Sequence, residues 1–386
     1  MGRLIDGQWV TNDLGSDAQG NYVRQVTQFR HQIAGGIDND NDKIIYYPVE
    51  VGRYRLIVSS ACGWSHRCLM IRAMKGLQHV IPVTYVEPYM GENGWKFYDS
   101  SSSSETAVND MERHITKEVL FQGQVGDDDD DNNGSSTKNY EVPQYLHELY
   151  VLAKSDYTGR ASVPVLWDSK TCTIVNNESS DLVQIFLKSF DSLVGKKSIA
   201  TNSLRDVDLL PDNTKQEIQE MIDSNYATVN NGVYKCGFAT TQEAYDAACT
   251  KLFDRLQYLD ELLGKQRYLM GDTITLADIC LFPTLYRFDT VYYTHFKCNV
   301  QHLYEYVNLW NYTREIYQIP GISDTCNMDE IKKHYYTSHE SIHPRRYIPL
   351  GPRNINFNEP HTRDNKMVGA NNENSKNDSH QGQQRI

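Results

Sequence analysis

Long apolar runs are missing from this chain of 386 residues. No stretch nears the roughly 20 apolar residues that cross a bilayer, and the mean hydropathy is −0.59. The opening MGRLIDGQWV has neither an apolar core nor a basic amphipathic face, so no signal or transit peptide is read there. Gly2 invites N-myristoylation, but Asp6 stands where that modification prefers Ser or Thr. A cytoplasmic protein without membrane contact is expected. Positive charge is scarce too: 38 Lys and Arg against 50 Asp and Glu leave a net of −12, with a pI near 5.5. Part of that excess is the run Asp127 to Asp131, so the rest is only mildly acidic. No basic face is available for broad nucleic-acid binding. The eight cysteines include no C-x-x-C pair and the twelve histidines no H-E-x-x-H, so reduced thiols are expected and no metal centre.

What is present divides the chain. Residues 1–50 form a polar, turn-rich extension. In 51–195, Tyr54 to Ser60 (YRLIVSS) reads as a buried strand that runs into CGWSHRCLMIRAMKGL. There Leu69, Ile71, Met74 and Leu77 have helix-core spacing, and Gly76 closes the helix. A strand-type run from His79 completes a βαβ unit. From about 101 to 140 the composition is that of a solvated, low-complexity insertion. A helix from Tyr145, strands near Val163–Trp167 and Thr173–Val175, and a helix capped by Ser179 or Ser180 follow; Leu182, Ile185 and Phe186 form its apolar face. Residues 203–350 read as all-helical. Thr275-Leu-Ala-Asp278 is a capping box that opens an almost wholly apolar, central helix. Residues 351–386 read as a disordered polar tail.

Three positions suggest chemistry. Cys62 sits at a strand-to-helix junction, where free N–H groups and the helix dipole favour a thiolate; His66 and Arg67 would add positive potential. Pro164 follows Val163 at the start of a strand, and an X-Pro bond is the usual place for a cis peptide. Glu178 and Ser179 stand at a helix start, where an acid, a hydroxyl and free N–H donors suit the ends of an amino acid. Taken singly, each has an ordinary reading: an inert thiol, an edge-strand proline, a helix cap.

Together they match the glutathione site of thioredoxin-fold transferases. Residues of about 45 to 352 resemble the glutathionyl-hydroquinone reductases, or Xi-class glutathione transferases. The matching blocks are CGWSHRCLM with KGL, GENGWKF, YTGRASVPVLWD, TIVNNESS, NGVYKCGFATTQEAY, RFDTVYYTHFKCN and KKHYYTSH. The resemblance implies a thioredoxin-like α/β domain followed by an all-helical domain. It implies Cys62 as the nucleophile, with Trp95, Val163, Glu178 and Ser179 binding glutathione as co-substrate. Tyr234, Tyr292 and Tyr335 would meet the aromatic half of a glutathionylated quinol, with Tyr293 or Tyr336 as alternative members of their pairs. A homodimer is implied as well. The family usually has Cys-Pro-Trp-Ala where this chain has Cys62-Gly63-Trp64-Ser65. Cys68 is not at a resolving spacing and reads as structural. Two other readings share the thiol: an Omega-like thiol transferase or dehydroascorbate reductase, which needs no tyrosines, and a non-catalytic binding scaffold.

Overall fold

The computed structural model describes residues 2–11, 17–33, 45–98, 115–122, 140–194 and 204–363. The Asp127–Asp131 run, most of the expected insertion and residues 364–386 lie outside them. Four strands form the central sheet: β1 (Tyr54–Val58), β2 (Val83–Tyr85), β3 (Val165–Asp168) and β4 (Thr173–Asn176). Their order is β2-β1-β3-β4, with β2 parallel to β1 and the other pairs antiparallel. All of β1 but Arg55 is buried, because both sheet faces are covered and a central strand must then be apolar throughout.

The strand period of two sorts the residues between the faces. Leu56, Val58, Leu166 and Val175 point into one core with α1 (Gly63–Met74) and α3 (Ser179–Lys188). Ile57, Val165, Trp167 and Ile174 point into the other, beneath α2 (Leu146–Ala153). Gly76, at φ +69°, ends the first helix region in the left-handed conformation that glycine tolerates best.

Three stretches read from composition as polar supply part of the packing. In the extension, Leu4 pairs its backbone with Gly159, and Leu4 and Phe29 are buried in the second core. Within the insertion, Leu120 and Phe121 are buried on the same face, and Trp167 Nε1 donates to Leu120 O at 2.8 Å. Each such side chain contributes about 1.5–3 kcal/mol of apolar burial. At the start of the tail, Arg363 is 1% exposed and donates to Glu315 Oε2 at 2.8 Å. At these described residues composition misleads because long-range contacts bury single side chains of otherwise polar stretches.

The second domain is helical: α4 (Lys215–Asn225), α5 (Gly232–Gly237), α6 (Gln242–Lys265), α7 (Leu276–Arg287), α8 (Val307–Tyr317) and α9 (Met328–Ser338). Every residue of α7 is buried, and the Thr275–Asp278 capping box opens it. The Asp278 carboxylate also accepts from Leu269 N and Tyr312 Oη, so burial of this acid is matched by donors. A wide i→i+5 turn at Tyr226–Asn230 precedes α5, which carries Tyr234, and a second at Phe288–Tyr292 ends on Tyr292.

Candidate active site

Cys62 is the N-cap residue of α1, and its sulfur accepts from Ser65 N at 3.4 Å. The thiol lies 3.5 Å from Val163 O, to which it donates. The Val163–Pro164 peptide is cis. The strand-to-helix junction behind the thiol is held from the other domain. The fully buried Arg287, at the end of α7, donates to Ser60 O at 2.9 Å, Ala61 O at 3.0 Å and Pro283 O at 2.8 Å. It also donates to His66 Nδ1 at 2.9 Å.

That contact overturns the expected role of His66. Burial and the neighbouring Arg287 push its pKa well below the ordinary value, so the ring is neutral and adds no positive potential at the thiol. Arg67 is engaged by Ser179 Oγ, Cys280 Sγ and the face of Trp64. Cys68 is fully buried, and burial pushes its thiol pKa up.

Cys62 opens on a cleft between the domains that Trp95, Val163, Tyr234 and Tyr335 also line. Trp95 stacks on His334 with centroids 4.8 Å apart. Tyr234 and Tyr335 hydroxyls are 2.6 Å apart, and Tyr335 and Tyr292 hydroxyls 3.2 Å apart. Tyr292 stands behind Tyr335 and does not line the cleft. Burial raises the pKa of all three phenols, so they stay protonated at neutral pH. Tyr336 instead donates to Thr290 O at 3.0 Å, and Tyr293 stacks on His302 at 3.6 Å.

Glu178 and Ser179 are placed differently from the other expected contacts. Neither lines the cleft, whereas the adjacent Asn177 does. Glu178, not Ser179 or Ser180, caps α3: its backbone is extended and its carboxylate accepts from Ser180 N at 3.1 Å. Burial raises the Glu178 pKa, but the Ser180 N–H, Arg67, Thr27 and Arg24 outweigh it and leave the carboxyl below its usual range. Ser179 Oγ is occupied by Arg67.

Sequence reading missed the N-terminal segment that crosses the cleft. Tyr22 stacks on Phe238 at 5.4 Å, Arg24 lies 4.1 Å over the Trp64 ring, and Thr27 Oγ1 donates to Glu178 at 3.0 Å. It carries no periodicity that could have announced it. His334 and His339 also line the cleft; both sit in the KKHYYTSH block on either side of the expected Tyr335.

Residues 61–188 match the glutathione S-transferase N-terminal domain family, and residues 242–314 its C-terminal domain family. Over 94% of this chain and 99% of the relative, the sequence is 41% identical to the glutathionyl-hydroquinone reductase YqjG of Escherichia coli. A second reductase, PcpF of Sphingobium chlorophenolicum, is 38% identical over 91% of this chain and 96% of its own. The solved structure of a Xi-class transferase from Natrialba magadii superposes with a TM-score of 0.75 at 40% identity, covering 95% of this chain and 98% of that one. The chain belongs to the Xi class of glutathione transferases, the glutathionyl-hydroquinone reductases. It is therefore a glutathione-dependent oxidoreductase with a thioredoxin-like domain followed by the all-helical transferase domain. Among the described residues, no helix is long and apolar enough to cross a membrane, and no cluster of three or more His, Cys, Asp or Glu is arranged to hold a metal.

Proposed function

We propose that this Xi-class enzyme reduces glutathionyl-hydroquinones to hydroquinones through a mixed disulfide at Cys62. The observation that carries the reading is the meeting, in one cleft, of the Cys62 thiol with Tyr234 and Tyr335, whose hydroxyls continue a chain to Tyr292 behind them. The Cys62 thiolate attacks the sulfur of the conjugate. An S–S bond forms between Cys62 and glutathione, the aryl C–S bond breaks, and its electron pair stays on the ring carbon. That carbon takes a proton, and a neutral phenol of the tyrosine chain is placed to supply it. A second glutathione thiolate then attacks the glutathionyl sulfur, releasing glutathione disulfide and the Cys62 thiolate. One conjugate and one glutathione become one hydroquinone and one disulfide, so a single active-site cysteine suffices.

Glutathione is read as lying along Trp95 and the Val163 backbone, with its γ-glutamyl end toward Glu178 and Ser179. The Val163 carbonyl, which accepts the Cys62 proton in the free thiol, becomes available to a peptide N–H once that thiol ionises. Arg67 and Thr27 then share their present partners with the ligand. A cytoplasmic homodimer belongs to the same proposal, and sedimentation of the full chain reads its oligomeric state.

Single-turnover chemistry with glutathionyl-menadiol tests the mechanism. Menadiol release with a Cys62–glutathione adduct is expected from the unaltered chain, and neither from Cys62→Ser. An adduct formed only from other glutathione disulfides replaces this reading with a thiol transferase. No adduct from any donor leaves a binding scaffold.

A further inference from the structure

A hydroquinone ring brings two hydroxyls into the cleft, and a hydroxyl buried without an acceptor costs about 1–3 kcal/mol. The tyrosine chain answers only part of that need. Three phenols joined by two hydrogen bonds keep one O–H to offer outward, which suits a substrate oxygen as acceptor. Several other acceptors on the cleft wall are engaged: Asn177 Oδ1 takes Phe29 N, Gln25 Oε1 takes Arg160 N, and Val163 O takes the Cys62 thiol; His339 shares its Nδ1 with His295 Nε2, a pair in which either ring could donate.

His334 is built differently. Its Nδ1 lies 2.8 Å from Pro88 O and 3.3 Å from Ser338 Oγ, which itself accepts from Met90 N at 2.9 Å. A carbonyl only accepts, so Nδ1 carries the ring proton and Nε2 of the neutral ring is a bare lone pair. The ring is pinned by its stack on Trp95 and lines the cleft. Among the described residues Nε2 has no protein partner, and it is not one of the buried polar atoms sealed away without one; it opens on the cleft. Burial pushes the ring down to about 4, which keeps it neutral at physiological pH.

From this geometry we propose that His334 Nε2 accepts a hydrogen bond from one hydroxyl of the hydroquinone ring and determines specificity for the reduced conjugate. The assignment rests on the function proposed above. A quinone oxygen has no proton to give and would set lone pair against lone pair. A site built to hydrogen-bond a hydroxyl rejects an analogue that lacks it. His334 neither forms nor breaks a bond in the reaction.

The test is binding to full-length protein carrying Cys62→Ser, so that the ligand is not turned over. The probes are glutathionyl-menadiol and each of its two monomethyl ethers, under anaerobic conditions. With His334 present, one ether is expected to bind several-fold more weakly than the free conjugate. His334→Phe keeps a ring against Trp95 and should weaken the free conjugate about tenfold, the scale of one hydrogen bond between neutral groups, while erasing its preference over that ether. His334→Gln retains an acceptor and should keep part of the preference. Equal weakening of conjugate and ethers in His334→Phe, or a preference that survives there, overturns the assignment. So does the absence of any preference when His334 is intact, an outcome that needs no variant at this position to fold. Menadiol release by the otherwise unaltered chain is scored separately: its absence removes the proposed activity while the binding ratio still reports on His334.

Discussion

One wall of the cleft is set by backbone geometry around a thiol, the other by phenol and imidazole side chains. On the thioredoxin-like wall, Cys62 is an N-cap whose sulfur takes Ser65 N, and its proton goes to Val163 O beside a cis proline. On the helical wall, the polar groups are the hydroxyls of Tyr234 and Tyr335, backed by Tyr292, and the rings of His334 and His339. The first wall suits a peptide, which offers the same N–H and C=O groups in every molecule. The second suits a ring whose oxygens have to be met one at a time. The division also separates what is fixed by chain geometry from what can be altered by single substitutions.

Arg287 tests how far the two walls are independent, and it carries the largest expected effect. One guanidinium from the helical wall satisfies Ser60 O, Ala61 O and His66 Nδ1 of the other. Arg287→Met leaves these buried acceptors without a donor, at about 1–3 kcal/mol each before relaxation. A loss of about 3–5 kcal/mol in urea unfolding is expected, together with slower Cys62–glutathione adduct formation. Arg287→Lys should recover little, because one ammonium cannot reach a fork of acceptors on two elements. Unchanged adduct formation in a destabilised Arg287→Met protein would show that the thiol wall holds its geometry alone.

The histidines sharpen the contrast through pH. His66, His295, His334 and His339 are all buried, and burial lowers each: His295 to about 3, His334 to about 4, the other two well below the ordinary value. In the unfolded chain they titrate near about 6.5. Below that pH the unfolded chain binds protons that the folded one refuses. This contribution to stability is therefore complete above about pH 6.5 and falls as pH drops toward the folded values, by about 1.4 kcal/mol per pH unit for each histidine. Carboxylates held low, such as Glu178, lose their contribution only at lower pH. Urea midpoints should thus decline already between about pH 6.5 and 5, and His295→Gln should flatten that decline by about one proton. A flat midpoint across this window would contradict neutral burial of the cluster.

The same contrast explains what could be read from the sequence. The Cys62 wall was legible because a short buried strand, an N-cap thiol and an X-Pro pair each leave a local mark. The capping box at Thr275 and the βαβ run were legible for the same reason. The tyrosine wall was reached only through resemblance of whole blocks, since nothing local distinguishes Tyr234 or Tyr335 among 26 tyrosines. Arg287 and the Tyr22–Thr27 segment left no sign: their partners lie far along the chain, 226 residues away for Arg287 and Ala61 and 151 for Thr27 and Glu178. Composition assigned Leu120, Phe121 and Arg363 to solvent for the same reason, because burial of an isolated anchor depends on a surface built elsewhere.

Gly63 carries the smallest expected effect and bears most directly on the backbone wall. It is the first residue of α1, where the family usually has proline, and its φ is not in the left-handed region that would require glycine. Cys62, at φ −76° and ψ 117°, already has the extended backbone that a following proline imposes. A Cβ at position 63 would meet only Pro283 Cβ, at an ordinary 3.7 Å. An N–H at a first helical position has no acceptor within the helix, so its loss is tolerated. Gly63→Pro should therefore raise stability by about 0.4–1 kcal/mol through the unfolded chain, read as a higher urea midpoint, and leave Cys62–glutathione adduct formation intact. A lower midpoint, or a slower adduct in a stabilised protein, would mean that the thiol turns on a hinge at Gly63. The backbone wall would then owe its fit to motion at that residue, and the rigidity implied by the Ser65 and Val163 contacts would belong only to the resting state.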